Sequence, residues 1–292
     1  MGRASAKYHV PGTRLDGGQI LATEKIITID DLLVSDKFIY MLDEAKNHYD
    51  VRSQYSFEQG QALAIAMDRH VLQVGVKAAR SDANIPGAQG TPGGHQIYAT
   101  DEGLGNDVNF LGNPESLARA LYKAAQIFDD KFIPDDGQRY FFCRPEQFYM
   151  LVQSDKAINR DFGGVGSYSD GTVFRVAGIN VVKCTTLPKG VINESPEQGD
   201  GQEKYSGDFT NTVGLFWHPS AVGTVKLLDL AMEMEYSAAT QGTLMVAKYA
   251  MGHDVLRPEA AIELVDAARP EPAPEVAPPA QEKPAAQSKA RK

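Results

Sequence analysis

The chain has 292 residues, 42% of them apolar and 23% charged, and carries a net charge of −9. That supplies ample material for a globular core, and no run approaches the roughly 18 consecutive apolar residues of a membrane helix. Five basic and three acidic groups from Arg269 onward leave −11 on the rest, which argues against a protein that reads nucleic-acid sequence through a basic face.

The first residues, MGRASAKYHVPGTRLDGGQI, are polar and glycine-rich, with no apolar segment of a secretory signal and with Ala6 where a myristoylation motif needs Ser or Thr. EKIITID alternates as a short strand, and FIYMLDEA fits either a strand or a helix. From Asp50 the pattern is helical. Leu63, Met67, Val71, Val74 and Ala78 fall at steps of three and four, so the segment to about Ala79 is expected to be one rod roughly 45 Å long. Gly60 and Gly75 each cost such a helix about 1 kcal/mol against Ala, so packing must hold it.

SDANIPGAQGTPGGHQIYATDEGLGND reads as a loop. Asn113, Pro114 and Glu115 then open a helix with an apolar face of Leu117, Leu121, Ala124 and Phe128. RYFFC is a buried strand, RPEQFYMLVQ a second helix with proline at its start, and TVFRVAGINVVKCTTLP two strands joined at Gly178. PKGVINESPEQGDGQEKYSGDFTN is expected as a polar surface insertion, before four strand-like runs: TVGLFWH, GTVKLLDLAMEMEY, GTLMVAKYAM and IELV. The class is α+β with mostly antiparallel strands. The last residues, rich in Pro, Ala and Glu, are expected to be a disordered tail.

Chemistry is sparse in the sequence. GLGNDV fails the phosphate-loop pattern at its third glycine, and neither GxxxxGK nor GxSxG occurs. The six histidines lack metal-ligand spacing, so no metal or cofactor is expected. Cys143 and Cys184 sit in apolar runs as small buried residues of a reducing compartment. Asp129-Asp130 and Asp135-Asp136 read as solvated loop carboxylates. His218-Pro219-Ser220 lacks an acid partner, and His253 reads as part of a turn into the last strand. In NHYDVR, Asp50 is a natural helix cap, Tyr49 its apolar staple, and Arg52 a first-turn base needing an acid from elsewhere. His48 there serves the joint and is not a catalytic group, since no nucleophile accompanies it.

TEKIITIDDLL (23–33), NHYDVRSQY (47–55), FFCRPEQF (141–148), HPSAVGTVKLLDLA (218–231) and AKYAMGHDVLRPEAA (247–261) resemble, in order, the major capsid proteins of T7-like short-tailed bacteriophages. GINVVKCTTLP followed by LRPEAAIEL is similar to the wider HK97-like shell fold. The resemblance implies an α+β subunit with a spine helix at 50–79, a partial E-loop hairpin at 1–29, a peripheral domain of 30–111 and 225–252, and an axial domain of 112–224 and 253–266. The tail, 267–292, would hang outside the shell. Against the family pattern, Met1 falls within the hairpin, so an N-terminal arm and outgoing strand are expected to be missing.

Function then follows as self-assembly into hexamers and pentamers of an icosahedral virion shell, built in the host bacterial cytoplasm. The shell encloses double-stranded DNA without sequence-specific binding, and scaffolding protein and portal are implied partners. Arg14, Asp16, Glu24 and Lys25 are the expected assembly contacts. Two other readings stay open: a nanocompartment shell of the same fold around protein cargo, and an enzyme with a site near His48, Asp50 and His253.

Overall fold

The computed structural model describes residues 4, 6–12, 14, 17–18, 20–47, 51–85, 92–105, 108–153, 175–195 and 202–270. FIYMLDEA divides at Tyr40: β1 (Leu33–Tyr40) runs directly into α1 (Met41–Lys46). The rod is present as one unbroken helix, α2 (Val51–Arg80). EKIITID, expected as a strand, forms no ladder; a single backbone bond, Asp30 N–H to Met251 O at 3.0 Å, ties it to a neighbouring strand.

A six-stranded mixed sheet has the order β2 (His95–Tyr98), β11 (Ala261–Val265), β8 (Thr212–Trp217), β3 (Tyr140–Cys143), β5 (Ile179–Lys183), β4 (Arg175–Val176). β11–β2 and β3–β5 are parallel and the other pairs antiparallel. β2 corrects the expected continuous loop. Its four residues lie in a glycine-rich stretch and become a strand because β11, more than 160 residues on, supplies the partner. β4 and β5 join through Ala177 and Gly178, both at positive φ (51° and 78°), the primed turn that suits twisted hairpins.

α3 (Pro114–Asp130) and α4 (Pro145–Val152) pack against this sheet. Asn113 caps α3 as its sequence requires, its side-chain oxygen accepting from Glu115 N–H at 2.9 Å. The expected face of Leu117, Leu121, Ala124 and Phe128 is fully buried with Phe141, Phe216 and Ile262, each of the leucine, isoleucine and phenylalanine side chains worth about 1.5–3 kcal/mol of transfer free energy. The stretch read as a polar insertion is instead a packed element. It forms a hairpin of β6 (Gly190–Ile192) and β7 (Gly207–Phe209), with Leu187 and Phe209 in a core shared with α2 and Tyr205 fully buried. The polar letters of that stretch concealed the aromatic anchors Tyr205 and Phe209.

The second sheet is a three-stranded antiparallel layer, β1–β10–β9, with β9 at Val222–Ser237 and β10 at Gly242–Val255. His253 therefore lies within β10, not in a turn, and is buried. Leu63 of α2 packs on Ala247 and Tyr249 of β10. The helix changes character along its length. In its first half one stripe is buried, whereas Leu72 to Val76, Ala78 and Ala79 are buried on every side where α2 crosses the six-stranded sheet. Gly75 permits that approach, since a Cβ there would lie 2.7 Å from Leu215 Cδ2 and 3.1 Å from the Trp217 ring. A Cβ at Gly60 would meet open space.

Two substitutions separate these cases. Gly75→Ala is expected to destabilise the subunit by about 1–3 kcal/mol through overpacking. Gly60→Ala is expected to stabilise it by up to about 1 kcal/mol through helix propensity. Urea unfolding of the unassembled subunit reads both.

Candidate assembly surfaces

Much of the apolar surface is left without a cover inside the subunit. Along the N-terminal segment, Tyr8, Val10, Ile20, Leu21 and Ile26 are exposed. β9 is an edge strand of sixteen residues, and Leu227, Leu228, Leu230, Met234 and Tyr236 along it are exposed. β1, at the opposite edge, exposes Val34, Phe38 and Tyr40, and the first half of α2 adds Phe57 and Ile65. Long open edges with large apolar side chains invite pairing with another chain. Three of the four charged residues on β9 are spent locally: Lys226 pairs with Asp229, and Glu233 with Lys248 at 2.7 Å.

Of the four expected contact residues, Arg14 and Glu24 are exposed. Lys25 lies 3.5 Å from Asp254 of its own β10, so part of its charge serves the fold. Asp16 lies outside the described residues, as do His48, Tyr49, Asp50 and the tail from residue 271. Arg52 forms a two-pronged pair with Glu44 of α1, at 2.5 and 2.9 Å, so a base at the wrong end of the helix dipole is matched by a local acid.

The carboxylates read as merely solvated are engaged in three of four cases. Asp129 pairs with Arg139 at 2.8 Å, Asp135 with Arg175 at 3.2 Å, and Asp136 Oδ2 lies 3.5 Å from His218 Nε2. The last supplies the acid that His218 lacked in sequence, and Ser220 Oγ stands 2.8 Å from Nδ1. The arrangement is a cap: Nδ1 also accepts the Ser220 N–H at 3.3 Å and closes the turn Pro219–Ala221, so the serine hydroxyl donates to a nitrogen already used structurally. Among the described residues no group of three or more His, Cys, Asp or Glu is placed to hold a metal ion. Cys143 and Cys184 are free thiols, and burial, with Cys184 adding a smaller push, raises Cys143 to about 12.

Sequence reasoning missed a polar junction that joins the N-terminal segment, α2, β10 and the hairpin. Glu194 is buried. Gln73 Nε2 donates to its Oε1 at 3.1 Å, Arg69 Nε stands 3.7 Å away, and His70 Nε2 lies 3.2 Å from Oε2, close enough for attraction but off the line of a hydrogen bond. Burial pushes Glu194 up, and His70, Gln73 and Arg69 together outweigh it, leaving the carboxyl below its usual range. The His70 ring stacks on Tyr205 at 4.1 Å. His253, whose Nδ1 is 2.9 Å from Thr224 Oγ1, is held down to about 4, first by burial. The sequence signal was a charged or aromatic residue within each stretch, with nothing to say that they converge.

A long helix joining a three-stranded edge layer to a mixed sheet is the architecture of HK97-like capsid subunits. The mature capsid of bacteriophage PhiM1 shares it with a TM-score of 0.73 at 16% identity, over 92% of this chain and 81% of that one. The particular family follows from sequence. The model for Gp10A-like major capsid proteins matches residues 1–265, and the chain belongs to that family. It is 35% identical to the major capsid protein of Escherichia phage T7 over 89% of its own length and 79% of that protein's. With the Enterobacteria phage T3 major capsid protein the identity is 33%, over 91% and 80%. The capsid structure of cyanophage P-SCSP1u matches with a TM-score of 0.79 at 41% identity, covering 92% of this chain and 82% of that one. The chain is a shell-forming phage major capsid protein, and its place is the virion. These relatives favour a phage head over a nanocompartment. No helix among the described residues is long and apolar enough to cross a membrane.

The junction makes stability depend on pH with a definite sign. Glu194, depressed in the folded state, contributes stability above its unfolded value that is lost as pH falls through the folded one. His253 acts in the same direction. Between its ordinary 6.5 and about 4 the unfolded chain takes up the proton first, so acidification favours unfolding. The urea midpoint of the subunit is expected to fall from pH about 7 to about 4.5, and His253→Gln is expected to flatten that fall.

Proposed function

We propose that the subunit tiles as hexamers and pentamers into an icosahedral head around double-stranded DNA, and that it acts as a structural element with no catalytic step. The observation that carries this reading is β9, an edge strand sixteen residues long with a row of large exposed apolar side chains, beside an N-terminal segment that also exposes Tyr8, Ile20, Leu21 and Ile26. Both need a partner, and copies of the same chain supply one in a closed lattice, where many modest contacts add. In this reading residues 1–29 belong to the E-loop, with Arg14, Asp16, Glu24 and Lys25 meeting a neighbour.

The peripheral domain is the first half of α2 with the three-stranded sheet. The axial domain is the six-stranded sheet with α3, α4 and the β6–β7 hairpin. β2 belongs with the axial domain by its pairing to β11, although it lies within 30–111. Scaffolding protein and portal are the partners that head assembly requires. The net charge of −11 before Arg269 supports enclosure of DNA without grip, since like charge leaves the packaged polymer free to slide.

Electron microscopy of the expressed chain tests the reading. Closed shells are expected, with assembly reduced by Arg14→Ala combined with Glu24→Ala while the unfolding midpoint of the subunit is unchanged. Subunits that stay monomeric at every concentration and salt, with β9 still exposed, would refute it. The expected DNA binding of free subunits is weak; tight binding that falls steeply with salt would contradict the proposed role of charge.

A further inference from the structure

The base of the N-terminal segment, residues 25–31, has almost no backbone pairing, yet side chains hold it from two directions. On one side is β10. Asp30 N–H donates to Met251 O at 3.0 Å, and Lys25 lies 3.5 Å from Asp254. Two glycines let the backbone close in: a Cβ at Gly252 would come within 2.9 Å of Ile29 Cα, and one at Gly223 within 2.6 Å of Ile27 Cδ1. On the other side is the turn at 202–205. Gln202 Nε2 donates to Asp31 Oδ2 at 2.8 Å, and Lys204 Nζ to Thr28 O at 3.2 Å. Lys204 also pairs with Asp30, and the Tyr205 hydroxyl donates to Asp30 Oδ2.

The turn is in turn fixed to the spine helix. Tyr205 is fully buried and its ring stacks on His70, while Lys77 Nζ donates to Lys204 O at 2.6 Å. His70 and Lys77 are seven residues apart, two turns along one face of α2. A continuous path therefore runs from α2 through the turn to Asp30.

We propose that residues 202–205 form a clasp that couples the spine helix to the base of the arm and sets the direction in which the arm leaves the subunit. The clasp is a property of the single chain; only its consequence for shells rests on the assembly reading above. Asp30 is its hub, taking the lysine and the phenol on one carboxylate. The backbone of 25–31 stays without a ladder because the clasp replaces one. The clasp contacts fall at residues 28, 30 and 31, so it acts on the base of the arm.

The test uses the full chain before assembly. Lys204→Met with Tyr205→Phe removes both polar contacts to Asp30 and keeps the ring on His70. Trypsin cleavage after Lys25 and exchange of the Asp30 amide are each expected to rise about tenfold, while cleavage after Lys7 and Arg14 changes less than about twofold. Gly252→Ala, which presses on the same stretch from β10, is expected to give the same two changes, and it carries the test if the double variant unfolds. Unchanged cleavage and exchange in a folded variant would overturn the clasp. Electron microscopy of the same variants reads the assembly role separately: a loosened arm base with normal shells upholds the clasp and counts against the arm's part in assembly.

Discussion

The seat of α2 on the six-stranded sheet is the constraint on which the subunit depends. At that seat a carboxylate, Glu263, lies fully buried in β11, an interior strand of the sheet. Arg80, the last residue of α2, grips it with two bonds at 2.7 and 2.6 Å, Thr212 donates at 2.6 Å and Gln96 at 2.8 Å. The bond to Glu263 raises the arginine above its usual range, so the guanidinium that meets this carboxylate stays charged. A buried charge stripped of its partner costs about 3–5 kcal/mol, so the helix cannot slide or rotate without exposing that cost. Gly75, against Leu215 and Trp217, fixes the same helix at van der Waals distance one and a half turns earlier. Register and depth are thus set by two different forces at neighbouring points.

From this seat the rest of the rod projects. The first half of α2 carries the three-stranded sheet through a small apolar cluster of Leu63, Ala247 and Tyr249, with Gln59 Nε2 bonded to Met245 O and Ser35 O at 3.2 Å each. That layer has few internal anchors and two open edges, the opposite of the α3-covered sheet. The asymmetry suits a shell subunit. A dense core keeps the protomer intact, while the layer proposed to pair with copies is apolar and exposed, and in that proposal the lattice completes its stability.

How far the fold was legible depends on how local its determinants are. The start of α3 could be read to the residue because Asn113, Pro114 and Glu115 act within one turn. α2 was legible because thirty residues repeat one period, and the β4–β5 hairpin because Gly178 permits a positive φ. β2 was hidden because its partner, β11, is distant in sequence and its flanks are glycine-rich. EKIITID alternates as a strand should, but it crosses β10 over Gly252 instead of running beside it, so no ladder forms. The 188–211 stretch misled because Glu194, Tyr205 and Phe209 are diluted among polar residues, and only the folded chain gathers them. Contact residues were the least legible. A contact proposed with another copy leaves no mark in the sequence of one chain, and no pattern within it distinguishes Arg14 from any solvated arginine.

The same logic explains why an acidic, glycine-interrupted chain uses buried polar junctions where hydrophobic contacts would do for stability alone. A purely apolar seat for the arm base would tolerate several angles, because dispersion is weakly directional. Hydrogen bonds and ion pairs from Lys204 and Tyr205 to one carboxylate, Asp30, have a preferred geometry. Anchoring them through His70 and Lys77 refers that geometry to α2, and α2 is referred to β11 through Arg80. Each link is short and directional, so the arm base inherits the orientation of the core. A closed shell needs such transmission, since an angular error at one subunit recurs at every copy and the curvature of the whole is the sum of those angles.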